Sequence, residues 1–446
     1  MLPNPQEALP LPPRPSIEHY RKLAKDLVKA GRSADPGALT AFADRWITSL
    51  SRAIAKDQRV PPLITTAHVA RGRDAVEVNA DRSASLVEDF ARRHLANGCN
   101  LGEAQFVIAR SHGFVTWARF VEYIDRAVHG DNAFETAADA VVAGDEAALR
   151  ALLASHPGLA HAKSDREHGA TLLIYTSANG VESYRQQTPA NVVRIAEILL
   201  DAGADIEATA DVYGGQCTTL GLAATSGFPR EAGVQLPLLQ LLLDRGARMD
   251  GELAGNQHGL VFACLANGCQ EAAAYLADRG ARVQLIEAGG LGRRDTVERL
   301  LAEGSYTQAQ LNEALRQACV YGRTELVPLL AERGADLAYG GGDGETPAHM
   351  AVIGGHLDTL KALLAYRPPL EQKNVYGGTV VGQTLWSAAH GGDADRYIKL
   401  LETLLSAGAE LPERHVPVNA KVDAFLLGKG SRPEPDWHWF GEKPRS

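Results

Sequence analysis

Five cysteines stand in 446 residues, an odd number with no Cys-x-x-Cys pair among them. A disulfide framework and a two-pair zinc site are therefore not expected, and a reducing compartment fits. Aromatic residues make up only 6% of the chain, too few for a β-sandwich core. No run of 18 apolar residues occurs, and no basic segment leads into an apolar one. The expectation is a cytoplasmic protein with neither a membrane span nor a signal peptide. The phosphate loop GxxxxGK[ST] and the metal motif HExxH are both missing. Gly290-Leu291-Gly292 lacks the third glycine and the preceding strand of a dinucleotide fingerprint. No cofactor and no metal are expected. No catalytic residue is singled out, and the balance falls on binding rather than catalysis.

Hydrophobic residues account for 45% of the chain, led by Ala and Leu with abundant Gly, a composition suited to helices packed through small side chains. The net charge of −9 is uneven: residues 1–130 carry 18 Lys/Arg against 14 Asp/Glu, leaving 27 against 40 for 131–446. An acidic body repels phosphate backbones, so nucleic acid is not an expected partner. Residues 103–124 have the outline of a helix-turn-helix, but the second helix offers only Arg119 and Arg126, offset by Glu122 and Asp125. Phe106, Phe114, Trp117 and Phe120 read as the core of two packed helices.

Residues 1–15 hold six prolines and read as an extended leader. Apolar spacing then predicts a helical domain over 16–130, opened by Ser16 with Ile17, Tyr20, Leu23 and Leu27 on one face. Further helices are expected after Pro36 and at about 63–78, 84–96, 102–112 and 116–128.

From residue 131 the chain repeats. The clearest copy is Thr346-Pro347-Ala348-His349-Met350-Ala351, followed by Gly355-His356-Leu357 and Leu363-Leu364. Threonine suits a helix N-cap, proline the first helical position, and glycine the left-handed turn that closes the helix. Glycines recur at 144, 180, 227, 268, 292, 322, 355 and 392, with Leu-rich second helices between them. Those helices end in segments such as Gly203-Ala204-Asp205 and Gly334-Ala335-Asp336. This pattern resembles the ankyrin-repeat family, in bacterial-type members with an N-terminal helical domain, over about 131–411 and eight repeats. The resemblance implies an all-α solenoid of helix pairs with short β-hairpin fingers, in which histidines such as His349 bridge neighbouring repeats.

Regular repeats place 12 residues between the helix-ending glycine and the Gly-Ala glycine, whereas three repeats place 23, 19 and 16. Insertions are thus expected near 181–191, 228–234 and 393–396, and solenoid insertions often carry binding. A candidate pocket on repeats two to four collects Tyr175, Asn179, Glu182, Tyr184, Arg185, Gln186, Asp211, Tyr213, Thr225, Arg230 and Gln235. There Arg185 or Arg230 would grip a small polar or anionic ligand.

A concave face would be lined by His168, His258, Tyr321, Tyr339, Tyr376, Trp386 and His390, aromatics of the kind that anchor a protein partner. The tail 412–446 is rich in proline, reads as irregular, and carries Asp436-Trp437-His438-Trp439-Phe440, expected to dock as a cap. The function expected first is a protein-interaction scaffold, with a small-molecule pocket or an enzyme site on the inserted loops as the alternative.

Overall fold

The structure, a computed structural model, describes residues 5–12, 14–55, 74–95, 99–130, 132–249, 259–390 and 393–434. The chain divides into two compact units, 1–276 and 277–446.

Unit 1 opens with a 3-10 turn, Pro5–Glu7, and then five helices: α1 (Ile17–Gly31), α2 (Ala38–Ala55), α3 (Asp74–Leu95), α4 (Leu101–Ser111) and α5 (Trp117–Val128). Local chemistry sets their starts. The side chains of Ser16, Asn100 and Thr116 each accept an amide of the first turn of their helix. Tyr20, Ala24 and Leu27 form the buried stripe of α1, one residue per turn, and pack against Phe42, Trp46, Phe90, Phe114 and Phe120. The leader is not free of this core: Ala8 and Leu9 are buried, and Leu9 belongs to the same apolar cluster. Most of the helix expected at 63–78 lies outside the described residues; α3 starts at Asp74 and carries through the 84–96 segment.

Helix pairs follow: α6 (Ala133–Ala143) with α7 (Glu146–Ser155), α8 (Leu172–Tyr175) with α9 (Val192–Asp201), and α10 (Thr219–Thr225) with α12 (Gln235–Asp244). The short α11 (Gly227–Glu231) intervenes before α12, and α13 (Leu260–Ala266) and α14 (Gln270–Asp278) come last. Strands β1 (Thr209–Val212) and β2 (Gly215–Thr218) form an antiparallel finger before α10, pairing Thr209 with Thr218 and Val212 with Gly215. Its two-residue turn, Tyr213-Gly214, has φ of 56° and 81°, the positive values a tight hairpin demands. Gly227 departs from expectation. It starts α11 and its φ is not in the left-handed region, because the insertion there continues as helix instead of turning.

Unit 2 stacks α15 (Leu285–Leu291) on α16 (Arg294–Glu303), α17 (Gln308–Val320) on α18 (Leu326–Glu332), α19 (Pro347–Ile353) on α20 (Leu357–Leu364), and α21 (Val380–Ala389) on α22 (Ala394–Ser406). Small residues let successive first helices touch: a Cβ on Gly289 would lie 2.7 Å from the Ala314 carbonyl oxygen. Leu315, Leu326, Leu330, Leu360, Leu363, Leu400 and Leu404 fill a continuous core. Each buried leucine is worth about 1.5–3 kcal/mol, which no isolated pair collects alone. His349 joins adjacent repeats, 2.8 Å from the Thr346 hydroxyl and 3.2 Å from the Gly378 carbonyl. The tail is more ordered than its prolines suggest. Strands β3 (Arg414–His415) and β4 (Arg432–Pro433) pair in parallel around α23 (Ala420–Gly428), whose Val422 and Leu426 are fully buried in the same core. The aromatic run at 436–440 lies outside the described residues.

Candidate functional site

In unit 1 the insertion after Gly180 folds into a 3-10 turn, Ser183–Arg185, which drives Arg185 inward. Its guanidinium lies 2.6 Å from Glu135 and 2.9 Å from Asp139, both on α6. Beside it, Arg166 reaches Glu182 at 2.5 Å and the Tyr184 hydroxyl at 2.9 Å. The Tyr184 ring is flanked by both cations, 5.4 Å from Arg185 and 5.9 Å from Arg166. Tyr175, fully enclosed, donates its hydroxyl to Glu182 at 3.4 Å.

Charges this deep hold their ionic forms only through one another. Burial would raise the Glu182 carboxyl, but Arg166, His168 and Arg185 outweigh it and hold the group well below the usual carboxylate range. Arg185 and Arg166 are likewise held above the ordinary guanidinium value against burial by the surrounding acids and tyrosines. Asp139 behaves differently. Its side chain is 62% accessible yet recessed among protein; burial raises its carboxyl, Arg185 opposes this, and Glu135 and Glu182 add to the rise. These groups border a cavity of about 420 Å³ lined by Tyr123, Glu135, Asp139, Arg166, Tyr184 and Arg185, with Pro10, Leu11 and Pro12 along another wall.

The structure brings Tyr175, Glu182, Tyr184 and Arg185 together. Asn179 sits nearby with Tyr213, whose hydroxyl bonds its amide oxygen, and with Thr225 at 3.4 Å. Gln186 turns back to the Val181 carbonyl, and Asp211 is exposed on the finger. Arg230 and Gln235 belong elsewhere. Arg230 caps the Gly268 carbonyl at 2.8 Å, and Gln235 satisfies the carbonyls of Ala223, Ala224 and Ser226 at the end of α10. An anion grip was expected of Arg185 or Arg230; Arg185 is spent instead on Glu135 and Asp139, and Arg230 on a backbone carbonyl. His168 is a second correction. It is buried, not on a concave surface, because its Nδ1 accepts the Ala170 amide and its Nε2 faces Glu182 at 3.5 Å.

Glu135, Asp139 and Arg166 were not among the expected site residues. A signal existed for Glu135, an acid within the small apolar helix AFETAADAVVA, and for Arg166 within the charged run Asp165-Arg166-Glu167. Neither run says which partner it meets.

In unit 2, Trp386 on α21 and His390 at its C-cap stand four residues apart, both exposed, with rings stacked at 4.1 Å and 21°. Tyr376 is 84% exposed at a finger tip beside exposed Val375. Asn374 closes that tip: its side-chain oxygen accepts the Tyr376 and Gly378 amides at 3.1 and 2.9 Å. Tyr321 and Tyr339 are half-buried, and His258 lies outside the described residues. Among the described residues no group of three His, Cys, Asp or Glu side chains is disposed to hold a metal, and no helix is long and apolar enough to cross a membrane.

A family model described as ankyrin repeats matches this chain in three copies, over residues 285–376 and 315–414. No curated protein matches the chain. The matched span runs from the start of α15 to β3 and takes in every helix pair of unit 2.

Proposed function

We propose, from the ankyrin repeats that residues 285–414 match, that unit 2 binds a protein partner through Tyr376, Trp386 and His390. Ankyrin repeats are in general protein-interaction modules. The observation that carries the finer reading is the pairing of large exposed rings with rigid supports. Trp386 is 47% exposed on a helix otherwise buried, and Tyr376 stands on a turn closed by Asn374. Such side chains lose little freedom on binding, so most of their burial is converted to affinity. Tyr321 and Tyr339 would extend the contact. The test is affinity capture from lysate with the full chain beside a Tyr376→Ala/Trp386→Ala variant of unchanged helical signal. The expected result is a protein retained at least tenfold less by the variant; equal retention of every protein rejects the reading.

A second reading, a small-ligand pocket in unit 1, is favoured by the 420 Å³ cavity beside Asp139. With both arginines already paired, the chemistry it offers is that of a cationic or hydrogen-bond-donating ligand, not an anion. A rise in melting temperature with small amines, absent in Asp139→Asn, is the expected sign; a rise with carboxylates or phosphates instead would reverse that assignment.

A further inference from the structure

Arg316 on α17 gathers more acid than it can balance. Its guanidinium lies 2.6 Å from Glu313 and 2.8 Å from Asp343, and its Nε donates to the Glu345 carbonyl at 2.7 Å. The Glu345 side chain stands in the same field: burial and Asp343 raise its carboxyl, against Arg316 and a hydrogen bond from Asn374. Three carboxylates against one guanidinium leave a net charge of −2, or −1 with Lys373, which is exposed just ahead of Asn374, counted in. Residues 277–446 hold 22 Asp/Glu and 19 Lys/Arg, so unit 2 as a whole is close to balanced and the excess here is local.

A second observation on α17 points the same way. Gln317, one turn after Glu313, donates its side-chain amide to Glu313 at 2.9 Å. Its Oε1 is buried and, among the described residues, accepts no hydrogen bond. A buried acceptor without a donor costs about 1–3 kcal/mol and is uncommon. The network is thus short of positive charge and short of a donor at one place.

That place adjoins the exposed rings. The Val375 amide donates to the Asp343 carbonyl at 2.9 Å, which seats the finger bearing Tyr376 directly on the acidic loop. Asn374 reaches Gln383 on α21 at 3.3 Å, and Gln383 reaches Ser387, the neighbour of Trp386, at 3.4 Å.

We propose that the partner segment docking on Tyr376 and Trp386 is basic, and that it sets a lysine or arginine side chain against Glu313, Asp343 and Glu345. This rests on the reading of unit 2 as a protein-binding face and names the chemistry of its partner. The incoming cation supplies the charge that Arg316 does not, and its N–H groups donate to the open acceptors. Its aliphatic stem lies along the Tyr376 ring. Charge complementarity of this kind fixes register and rejects acidic segments.

The test pans a displayed library of short random peptides on the full chain at physiological salt and measures the selected peptides by fluorescence anisotropy. Peptides with lysine or arginine at one fixed position are expected. Their affinity should fall at least tenfold on Glu345→Gln, and again at least tenfold on the unaltered chain when that peptide residue is exchanged for acetyl-lysine or citrulline. The peptide exchange removes the charge without touching the protein, so it decides even where Glu345→Gln disturbs the finger. Neutral analogues that bind as well as their parents overturn the proposal, as do selected peptides without a cation or no selection above an uncoated surface. The Tyr376→Ala/Trp386→Ala chain separates the two readings. Uncharged peptides lost on that chain keep the binding face and reject its basic partner, whereas cationic peptides that bind it undiminished reject the face and the proposal with it.

Discussion

The Arg185 guanidinium sits 2.6 Å from the Glu135 carboxylate, tying an inserted loop to a helix fifty residues earlier in the chain. Both side chains are almost wholly enclosed. Removing one charge would leave the other buried without its nearest partner, Glu135 keeping only Arg166 at 3.9 Å, a loss of up to about 3–5 kcal/mol, whereas replacing both with apolar side chains is often close to neutral. Arg185→Leu should therefore lower the unfolding free energy of unit 1, read from urea titrations, by up to that amount. Glu135→Leu added to it should recover part of the loss, by relieving the unpaired carboxylate. A double variant no more stable than the single one would mean that Asp139 and Glu182, and not Glu135, hold Arg185 in place.

His112 supplies a pH dependence. Its ring is fully buried, stacked on Phe120 with centroids 5.3 Å apart and edge-on to Tyr20, and burial pushes its pKa down to about 3. The unfolded chain takes up a proton near the ordinary value of 6.5; the folded chain does not. Stability is thus full above pH 6.5 and is lost as the pH falls from there towards 3. With a limiting slope of 1.36 kcal/mol per unit, reached once the unfolded ring is fully protonated, the loss between pH 6.5 and 4.5 is about 2 kcal/mol. Denaturant titrations across that range should show the slope in the unaltered chain and lack it in His112→Gln. A slope of the same size in both proteins would assign the titration to other groups.

How much of this was legible beforehand depends on the range over which each interaction acts. The helix pairs of unit 2 follow from local rules: Thr346 as N-cap, Pro347 at the first turn, and glycines with φ near 70° at 292, 322 and 355. The exposed rings of Tyr376 and Trp386 were legible for the same reason, since repeat position sets which side faces out. The buried charges were not. Arg185 looks from sequence like a solvent-facing loop residue, and only the turn at Ser183–Arg185 and the approach of α6 reveal its partners. The contacts of residues 5–12 were hidden too, because prolines announce an extended chain and say nothing about what it lies against. In the tail, Pro412 and Pro417 read as irregular chain, whereas Val422 and Leu426, one helical turn apart, form the buried face of α23.

Gly322 separates two kinds of glycine cost. Its φ is 68°, and a Cβ there would lie 2.6 Å from Nδ1 of His356, whose Nε2 is 3.1 Å from the Val320 carbonyl. Gly304 has the same φ with open space around it. Left-handed backbone costs a non-glycine residue about 1–2 kcal/mol, so Gly304→Ala should lose that much. Gly322→Ala should lose about 1–2 kcal/mol more, because His356 must give up its carbonyl. Equal losses in chemical denaturation would show that His356 moves aside freely and does not link these repeats.

The cysteines test how tightly both units close. Cys264, Cys269 and Cys319 have no accessible surface, and burial pushes the thiols of Cys264 and Cys319 well above their usual range. Cys217 is nearly as enclosed, and its thiol donates to the Val212 carbonyl at 3.5 Å. Cys99 alone is half-buried, with burial again raising its thiol. Only the thiolate attacks a disulfide reagent, so accessibility and a high pKa both slow the reaction. At pH 7.5 a chromogenic disulfide should modify about one thiol in the folded chain, slowly, and about four more once urea unfolds it. Prompt modification of a second thiol would locate a local opening, and its identity by peptide mapping would say where: at Cys217 the β1–β2 finger has loosened, whereas at Cys319 the packing of α17 has given way.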